Sequence, residues 1–361
     1  MHSPGPLLVA AGFLATTACS AGTPAAEPTD PSSLASPSKP AEPTPPSSPS
    51  KSPAPEPVTT LTVVGDIMLG RGVAAEPGGA ASRLRPMAGH LRASDLTVGN
   101  LESTLSTAGA PQQGSDSFSA NPATLGALAR AGVDALSLAN NHTGDYGERA
   151  LLETVEAFEG RRIEPFGAGP DLHGATRAAV LVRNGVRFGF LGFNAIGETP
   201  RAGVRTPGAL SVRMPPRTGP LDRGDLRHVL GSVRRLRDRA DVVVVLPHWG
   251  TQYTHVAEPV QSLVGRRLVD AGADLVVGGH PHWVQGLERH GGAVIAHSLG
   301  NFVFDMDFME QTMEGVTLTA RFRGDRLLGV RLTPYRLDAT FTPRPVTGPE
   351  AAAILGDVRS N

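Results

Sequence analysis

Residues 274–282, Asp-Leu-Val-Val-Gly-Gly-His-Pro-His, join a short apolar run to two glycines and two histidines. The apolar residues 275–277 are typical of a short parallel strand covered on both faces, and the glycines that follow allow a tight turn. His280 and His282 would then project from the carboxyl end of a strand, which is the edge where open α/β sheets bind ligands. The stretch predicts a metal site.

Two histidines in one loop are a weak signal by themselves, but five other apolar segments also lead into polar side chains. These side chains are Asp66 after 62–65, Asn100 and Glu102 after 96–99, Asn140, Asn141 and His142 after 136–139, His248 after 242–247, and Asn301 after 293–300. If the strands lie in one sheet or in two packed sheets, their polar ends gather at one rim. Imidazole, carboxylate and amide groups are ligands of zinc, manganese and iron.

The order of predicted elements indicates an α/β fold with mixed sheets. Between residues 60 and 160, strands alternate with helices at about 80–93, 121–131 and from 144 or 145 to about 160, which favours parallel, right-handed crossovers. Asn184-Gly185 joins two strand-like segments and predicts a hairpin. Glycine turns near 291–292 and 324–325 predict two more hairpins, and further helices are expected at about 221–239 and 258–271.

The first 58 residues differ from the rest in composition. Residues 7–18 form an apolar run that is short for a membrane span and suits the core of a signal peptide. The only cysteine of the chain, Cys19, follows this run. We therefore predict a signal peptide over residues 1–19 and lipid attachment at Cys19, which would hold the protein at the outer face of the cell membrane. Plain secretion is the alternative.

A proline-rich segment follows the predicted signal peptide. Residues 21–58 contain 12 of the 32 prolines of the chain, a composition that cannot form a packed core, so residues 20–58 are expected to be a disordered tether. Residues 59–345 are predicted to form one globular domain, followed by a C-terminal tail over 346–361. This domain has neither cysteine nor lysine, which excludes thiol nucleophiles, lysine Schiff bases and Walker-type phosphate loops. The balance of 33 basic and 34 acidic residues argues against nucleic-acid binding.

Six short motifs occur in a fixed order over about residues 60–305. They are Gly-Asp-Ile-Met-Leu-Gly-Arg at 65–71, Gly-Asn-Leu-Glu at 99–102, Ala-Asn-Asn-His-Thr-Gly-Asp-Tyr-Gly at 139–147, His-Trp-Gly at 248–250, Asp-Ala-Gly-Ala-Asp leading to Gly-His-Pro-His at 270–282, and Ser-Leu-Gly-Asn-Phe at 298–302. The set resembles the bacterial capsule synthesis protein CapA family, also called poly-γ-glutamate biosynthesis proteins. More broadly, it is similar to calcineurin-like metallophosphoesterases. The resemblance implies a four-layer α/β/β/α sandwich.

The resemblance also implies a role for each motif residue. One metal would be held by Asp66, Glu102 and His282, and a second by Glu102 as a bridging ligand together with Asn141, His248 and His280. His142 would act as a proton donor or oxyanion stabiliser beside the metals, while Arg71 and Asn301 would face substrate anions. Metallophosphoesterases usually begin with Asp-x-His, and here Met68 stands at the third position. The first metal site thus lacks one imidazole.

These features lead to a functional expectation with two alternatives. By resemblance, the protein acts in the synthesis, export or anchoring of an anionic extracellular polymer such as poly-γ-glutamate. It would use one or two divalent ions (Mn, Fe, Zn or Mg) and work with a membrane polymer-synthetase complex. If it is an enzyme, the metal would activate water for attack on a phosphoester or amide, assisted by His142. The alternatives are a non-catalytic, metal-dependent polymer-binding accessory protein and an independent phosphoesterase.

Overall fold

The computed structural model describes residues 57–359 of the chain, which fall within one compact unit. The predicted signal peptide, the lipid attachment site Cys19 and residues 20–56 of the predicted tether lie outside the described residues. Within residues 57–359, every helix is too short or too polar to cross a membrane.

Sixteen strands are assigned in the described part of the chain. In chain order they are β1 Val58–Ile67, β2 Leu96–Leu101, β3 Ala135–Ser137, β4 Glu164–Phe166, β5 Ala168–Gly169, β6 Ala179–Arg183, β7 Val186–Asn194, β8 Gly208–Ala209, β9 Val242–His248, β10 Leu275–Val277, β11 Leu287–His290, β12 Ala293–Ala296, β13 Asn301–Val303, β14 Glu314–Arg323, β15 Arg326–Leu337 and β16 Pro343–Pro345.

The described residues 57–359 also form eight α-helices. They are α1 Arg71–Ala75, α2 Gly79–Arg92, α3 Thr124–Ala131, α4 Glu148–Glu156, α5 Leu172–Ala175, α6 Arg223–Arg237, α7 Pro259–Asp270 and α8 Gly348–Arg359, with short 3₁₀ turns at Gly114–Asp116 and Glu310–Met313.

The strands form two large mixed sheets. The first runs in the order β16-β15-β14-β1-β2-β3-β4, with β13 also paired to β1, and its strands from β1 to β4 are parallel. The second runs in the order β11-β12-β10-β9-β7-β6; its four central strands are parallel, and β11 and β6 are antiparallel at the two edges. A small antiparallel pair, β5 and β8, lies apart.

Three apolar clusters show how these sheets and helices stack. The first lies between helices α2 and α3 and the outer face of the first sheet, and includes Leu84, Leu128 and Leu136. The second lies between the two sheets and includes Val63 of the first sheet and Val244 of the second. The third lies between the second sheet and helices α6 and α7. The order of layers is therefore α/β/β/α, as predicted from the resemblance.

Strand β9 shows how the sequence produces the layers. Val242 and Val244 belong to the cluster between the sheets, whereas Val243 and Val245 belong to the cluster beneath α6 and α7. Successive side chains of a strand point to opposite faces of its sheet. A strand that is covered on both faces is consequently apolar at every position, which explains the uninterrupted valine run.

The predicted helices and hairpins agree with the structure to within a few residues, except near residues 140–147 and after residue 345. The helix predicted from residue 144 or 145 begins only at Glu148. The preceding residues form a loop in which the Asn140 side chain accepts a hydrogen bond from the His142 backbone N–H, and His142 bonds in turn to Asp145. Such side-chain bonds compete with helical hydrogen bonding, so the loop keeps these polar groups in place.

The segment after residue 345, predicted as a tail, includes helix α8. Its residues Ile354 and Val358 are almost fully buried and belong to the apolar cluster that also contains residues of β14. Helix α8 therefore contributes to the same core as the sheets.

Phe188 of β7 and Phe322 of β14 join the two sheets through an edge-to-face contact, with ring centroids 5.5 Å apart. Replacing Phe322 with Ala should lower the free energy of unfolding by about 3–5 kcal/mol, because a fully buried ring is lost and a cavity remains. Urea denaturation measures this change. Val182→Ala is the control, since Val182 is 56% exposed; its effect should stay within about 0.5 kcal/mol. Equal effects of the two substitutions would contradict the layer assignment.

Candidate metal centre

The carboxyl ends of several parallel strands bring acidic and imidazole side chains together. Two groups are close enough to hold an ion, since in each of them one ligand atom per residue lies within 4.8 Å of the others. The first group is Glu102, His248 and His280, and the second is Asp66, Glu102 and His282. Glu102 belongs to both groups and therefore lies between the two candidate ion positions.

The Glu102 carboxylate is fully buried and surrounded by imidazoles. Its Oε1 atom lies 3.4 Å from His248 Nε2, 3.8 Å from His142 Nε2 and 3.9 Å from His282 Nε2. Neither Glu102 oxygen has a hydrogen-bond partner among residues 57–359, and the same holds for both ring nitrogens of His280 and for His282 Nε2. An unpaired buried polar group costs about 1–3 kcal/mol. A cation in each group would pair the Glu102 oxygens, one ring nitrogen of His280 and His282 Nε2, so the residues fit a divalent metal.

The protonation states also suit a cation. Burial and the nearby Glu102 charge raise the pKa of Asp66 to about 6, and burial raises the pKa of Glu102 well above its usual range. Burial lowers the pKa values of His248 and His282 to about 4, and burial also lowers the pKa of His280 well below its usual range. The imidazoles are consequently neutral at pH 7 and keep a free lone pair. A metal ion would offset the repulsion between the two carboxylates.

The backbone around His280 and His282 is shaped to present both rings. Their φ angles are 94° and 59°, values that side-chain-bearing residues rarely adopt and that cost on the order of 1–3 kcal/mol each. The His280 backbone N–H donates to Asp66 Oδ2 at 2.9 Å, which links the turn to β1. Gly279 is required here because a Cβ atom at that position would lie 2.4 Å from Asp66 Oδ1.

Neighbouring amides orient the ligand side chains. Asn100 Nδ2 lies 2.8 Å from Asp66 Oδ1 and 3.2 Å from His248 Nδ1. His282 Nδ1 lies 2.9 Å from Asn301 Oδ1. Because Asn301 Oδ1 accepts the His282 Nδ1–H, His282 Nε2 keeps its lone pair toward Glu102, an arrangement common around metal-binding histidines.

The position of Asn301 differs from the expectation that it faces substrate anions. Asn301 is fully buried, its Oδ1 bonds to His282, and its Nδ2 donates to the Thr312 carbonyl at 3.0 Å. Both ends of the amide are therefore used inside the protein. Asn301 is therefore placed to orient the His282 ring, and its contact with substrate anions stays a prediction.

His142 lies beside the metal groups, where the resemblance placed it. Burial lowers its pKa to about 3, so the ring is neutral. Its Nδ1 lies 2.7 Å from Asp145 Oδ2, and the ring stacks on Phe118 with centroids 3.8 Å apart. With Nδ1–H donated to Asp145, Nε2 is left as an acceptor on the side of Glu102. Next to it, Asn141 Oδ1 lies 2.8 Å from His248 Nε2, which brings an amide oxygen to the first group.

Arg71 lies at the rim and not in contact with either metal group. Its guanidinium pairs with Asp305 at 2.5 Å and lies 4.3 Å from the centroid of the Phe118 ring. Met68 is fully buried, and its Sδ accepts a hydrogen bond from the Gly70 backbone N–H. Position 68 thus supplies packing where metallophosphoesterases usually have an imidazole.

Several contributors to the site were not predicted from the sequence. Glu198 contacts Asn141, Phe118 stacks on His142, and Tyr253 stacks on His282 with centroids 6.1 Å apart. Each lies in a loop, without the apolar strand that marked the other residues. Sequence patterns carry no signal for their positions.

Comparison with known proteins agrees with the motifs. The family model described as "Bacterial capsule synthesis protein PGA_cap" matches residues 60–306. The chain belongs to this family. It is 32% identical over 299 residues to the capsule biosynthesis protein CapA of Bacillus anthracis, covering 80% of this chain and 69% of that protein.

Two further relatives have sequence identities of 31% and 28%. The PGA biosynthesis protein CapA of Bacillus subtilis (strain 168) is 31% identical over 295 residues, covering 80% of this chain and 74% of the relative. A Mycobacterium tuberculosis protein named as a probable polyglutamine synthesis accessory protein is 28% identical, with 76% of this chain and 80% of that protein covered. The family assignment made from the motifs is confirmed.

Gly279→Ala should weaken Mn²⁺ binding at least 10-fold, because the added methyl group would displace the Asp66 carboxylate. Isothermal titration of the metal-free protein with Mn²⁺ measures the change. Gly89→Ala is a matched control, since Gly89 lies in α2 with open space where the methyl group would be added; its Mn²⁺ affinity should equal that of the wild type. Unchanged affinity of the Gly279 variant would contradict the geometry of the second group.

Proposed function

We propose that the protein takes part in the synthesis of an anionic extracellular polymer of the poly-γ-glutamate type, through a divalent-metal centre at Glu102. The observation that carries the metal centre is the set of buried, unpartnered atoms of Glu102, His280 and His282. The polymer class is supported by the family and by the names of the two Bacillus relatives.

The ligand set fits ions such as Mn, Fe, Zn or Mg. One ion would be held by Glu102, Asn141, His248 and His280, and another by Asp66, Glu102 and His282. Once bound, a divalent ion supplies Lewis-acid contact to carboxylate, phosphate or amide oxygens. The second group has a single imidazole, because Met68 takes the place of another, so we expect it to be the weaker site. His142 offers a neutral acceptor nitrogen beside Glu102.

A non-catalytic accessory role is the second candidate. It is favoured by Met68, which leaves the second group poorer in imidazole than a metallophosphoesterase, and by the accessory role in the name of the mycobacterial relative. The assay that separates the two uses purified protein loaded with Mn²⁺ and mixed with poly-γ-glutamate or a generic phosphodiester. Turnover that is lost in Glu102→Gln supports an enzyme, whereas metal-dependent polymer binding without turnover supports the accessory role.

Deleting the gene from its own bacterium should abolish the extracellular polymer, which acid hydrolysis and glutamate analysis measure. The wild-type gene should restore the polymer, and Glu102→Gln should not, because it removes the charge shared by both metal groups. Glu153→Gln is the control: Glu153 pairs with Arg149 on α4, at the surface, and this variant should restore the polymer fully. Unchanged polymer after deletion would contradict the proposed function, and rescue by Glu102→Gln would contradict the role of the metal.

We also propose that the protein works outside the cell, attached to the membrane through Cys19 and associated with a polymer-synthetase complex. The apolar run at 7–18 and the proline-rich residues after Cys19 support this placement. Cys19→Ala should move the protein from the membrane fraction to the culture medium, because the lipid anchor is lost. Immunoblots of both fractions measure the shift. Wild-type protein found mainly in the medium would contradict the anchor.

A further inference from the structure

Glu198 carries a charge beside the metal centre but belongs to neither ligand group. It lies between β7 and β8. Its Oε2 accepts a hydrogen bond from Asn141 Nδ2 at 2.7 Å, and its Oε1 accepts one from Arg217 at 2.5 Å. We propose that Glu198 is a positioning residue that holds the Asn141 amide with its oxygen toward the metal. The inference rests on the proposed metal centre and adds a residue that controls it.

An asparagine amide can serve as a metal ligand in one orientation only. Its oxygen has lone pairs for a cation, while its NH₂ group has hydrogens. If the amide of Asn141 turned over, the NH₂ group would face His248 and the metal position. The protein must therefore fix the orientation for Asn141 to bind a metal.

Two acceptors face the Asn141 NH₂ group and fix its orientation. One is Glu198 Oε2, and the other is His142 Nε2, which lies 2.9 Å from Asn141 Nδ2. His142 Nε2 is an acceptor because the other ring nitrogen donates to Asp145. Turning the amide over would place its oxygen against a carboxylate and an imidazole lone pair. The observed orientation, with Oδ1 toward His248 Nε2, is the one that avoids both repulsions.

The backbone of Glu198 supports a functional role. Its φ angle is 62°, in the left-handed region, which is unfavourable for glutamate and more easily adopted by asparagine. Its side chain is 26% exposed and pairs with Arg217, which is 45% exposed. Residues held in such strained backbone conformations cluster at active sites and ligand clamps, which agrees with a functional role for Glu198.

The test compares Mn²⁺ dissociation constants of the full chain with those of Glu198→Asn, Asn141→Ala and the double variant. Asparagine at position 198 tolerates the positive φ angle, but its side chain is shorter than that of glutamate. We expect its Mn²⁺ binding to be about 10–100-fold weaker and that of Asn141→Ala to be weakened as much. The double variant should bind no more weakly than Asn141→Ala, because Glu198 acts through Asn141.

Thermal unfolding of the metal-free proteins separates positioning from loss of structure. The unfolding midpoint of Glu198→Asn should be no lower than that of the wild type, since the backbone strain is relieved. Glu153→Gln is again the control, because it removes another carboxylate that is paired with arginine and 34% exposed; its dissociation constant should match the wild type.

Three results would overturn the inference. The first is equal Mn²⁺ binding by the wild type and Glu198→Asn, and the second is losses that add in the double variant, which would mean that Glu198 acts on the metal directly. The third is weaker binding accompanied by a lower unfolding midpoint, which would indicate a structural role. A wild-type protein that binds no Mn²⁺ would instead overturn the proposed metal function itself, and this inference with it.

Discussion

The structure depends on how two buried carboxylates, Asp66 and Glu102, are tolerated at the junction of the two sheets. Both are fully buried, and burial raises the pKa of each. Asp66 is bonded to Asn100 and to the His280 backbone, whereas Glu102 lies beside Asp66 and the imidazoles of His142, His248 and His282. Buried charges are stabilised by a pair of opposite charge or by a metal. Cations beside Glu102 would pair its oxygens together with one ring nitrogen of His280 and with His282 Nε2.

The rest of the fold positions the side chains that surround these two carboxylates. The two sheets pack through an apolar interior, so their parallel strands end near one another and deliver side chains from β1, β2, β9 and the turn after β10 to one place. Helices on both outer faces complete the cores of these sheets. The site lowers the stability of the fold through the positive φ angles of His280 and His282 and through its unpaired buried polar atoms. Backbone strain of this kind is typical of functional centres.

Much of this arrangement could be predicted from the sequence, because it follows from local pattern. A continuous apolar run such as 242–246 indicates a strand covered on both faces, and the polar residue after it must then lie at the sheet edge. The loop before α4 could not be predicted from the sequence pattern, which favours a helix there. Side-chain hydrogen bonds of Asn140 and His142 stabilise the loop instead. The bond of Asn301 to His282 and the contact of Glu198 with Asn141 could not be predicted, because they depend on which residues meet across the fold.

We propose that Glu102 bridges two ion positions, and anomalous X-ray diffraction from crystals grown with Mn²⁺ is the direct test. We expect anomalous peaks on the two sides of the Glu102 carboxylate, about 3.5–4 Å apart. The stronger peak should lie beside His248 and His280, and the weaker beside Asp66 and His282. At saturating Mn²⁺, the lack of any peak within coordination distance of Glu102, roughly 2.0–2.2 Å for a carboxylate ligand, would contradict the claim.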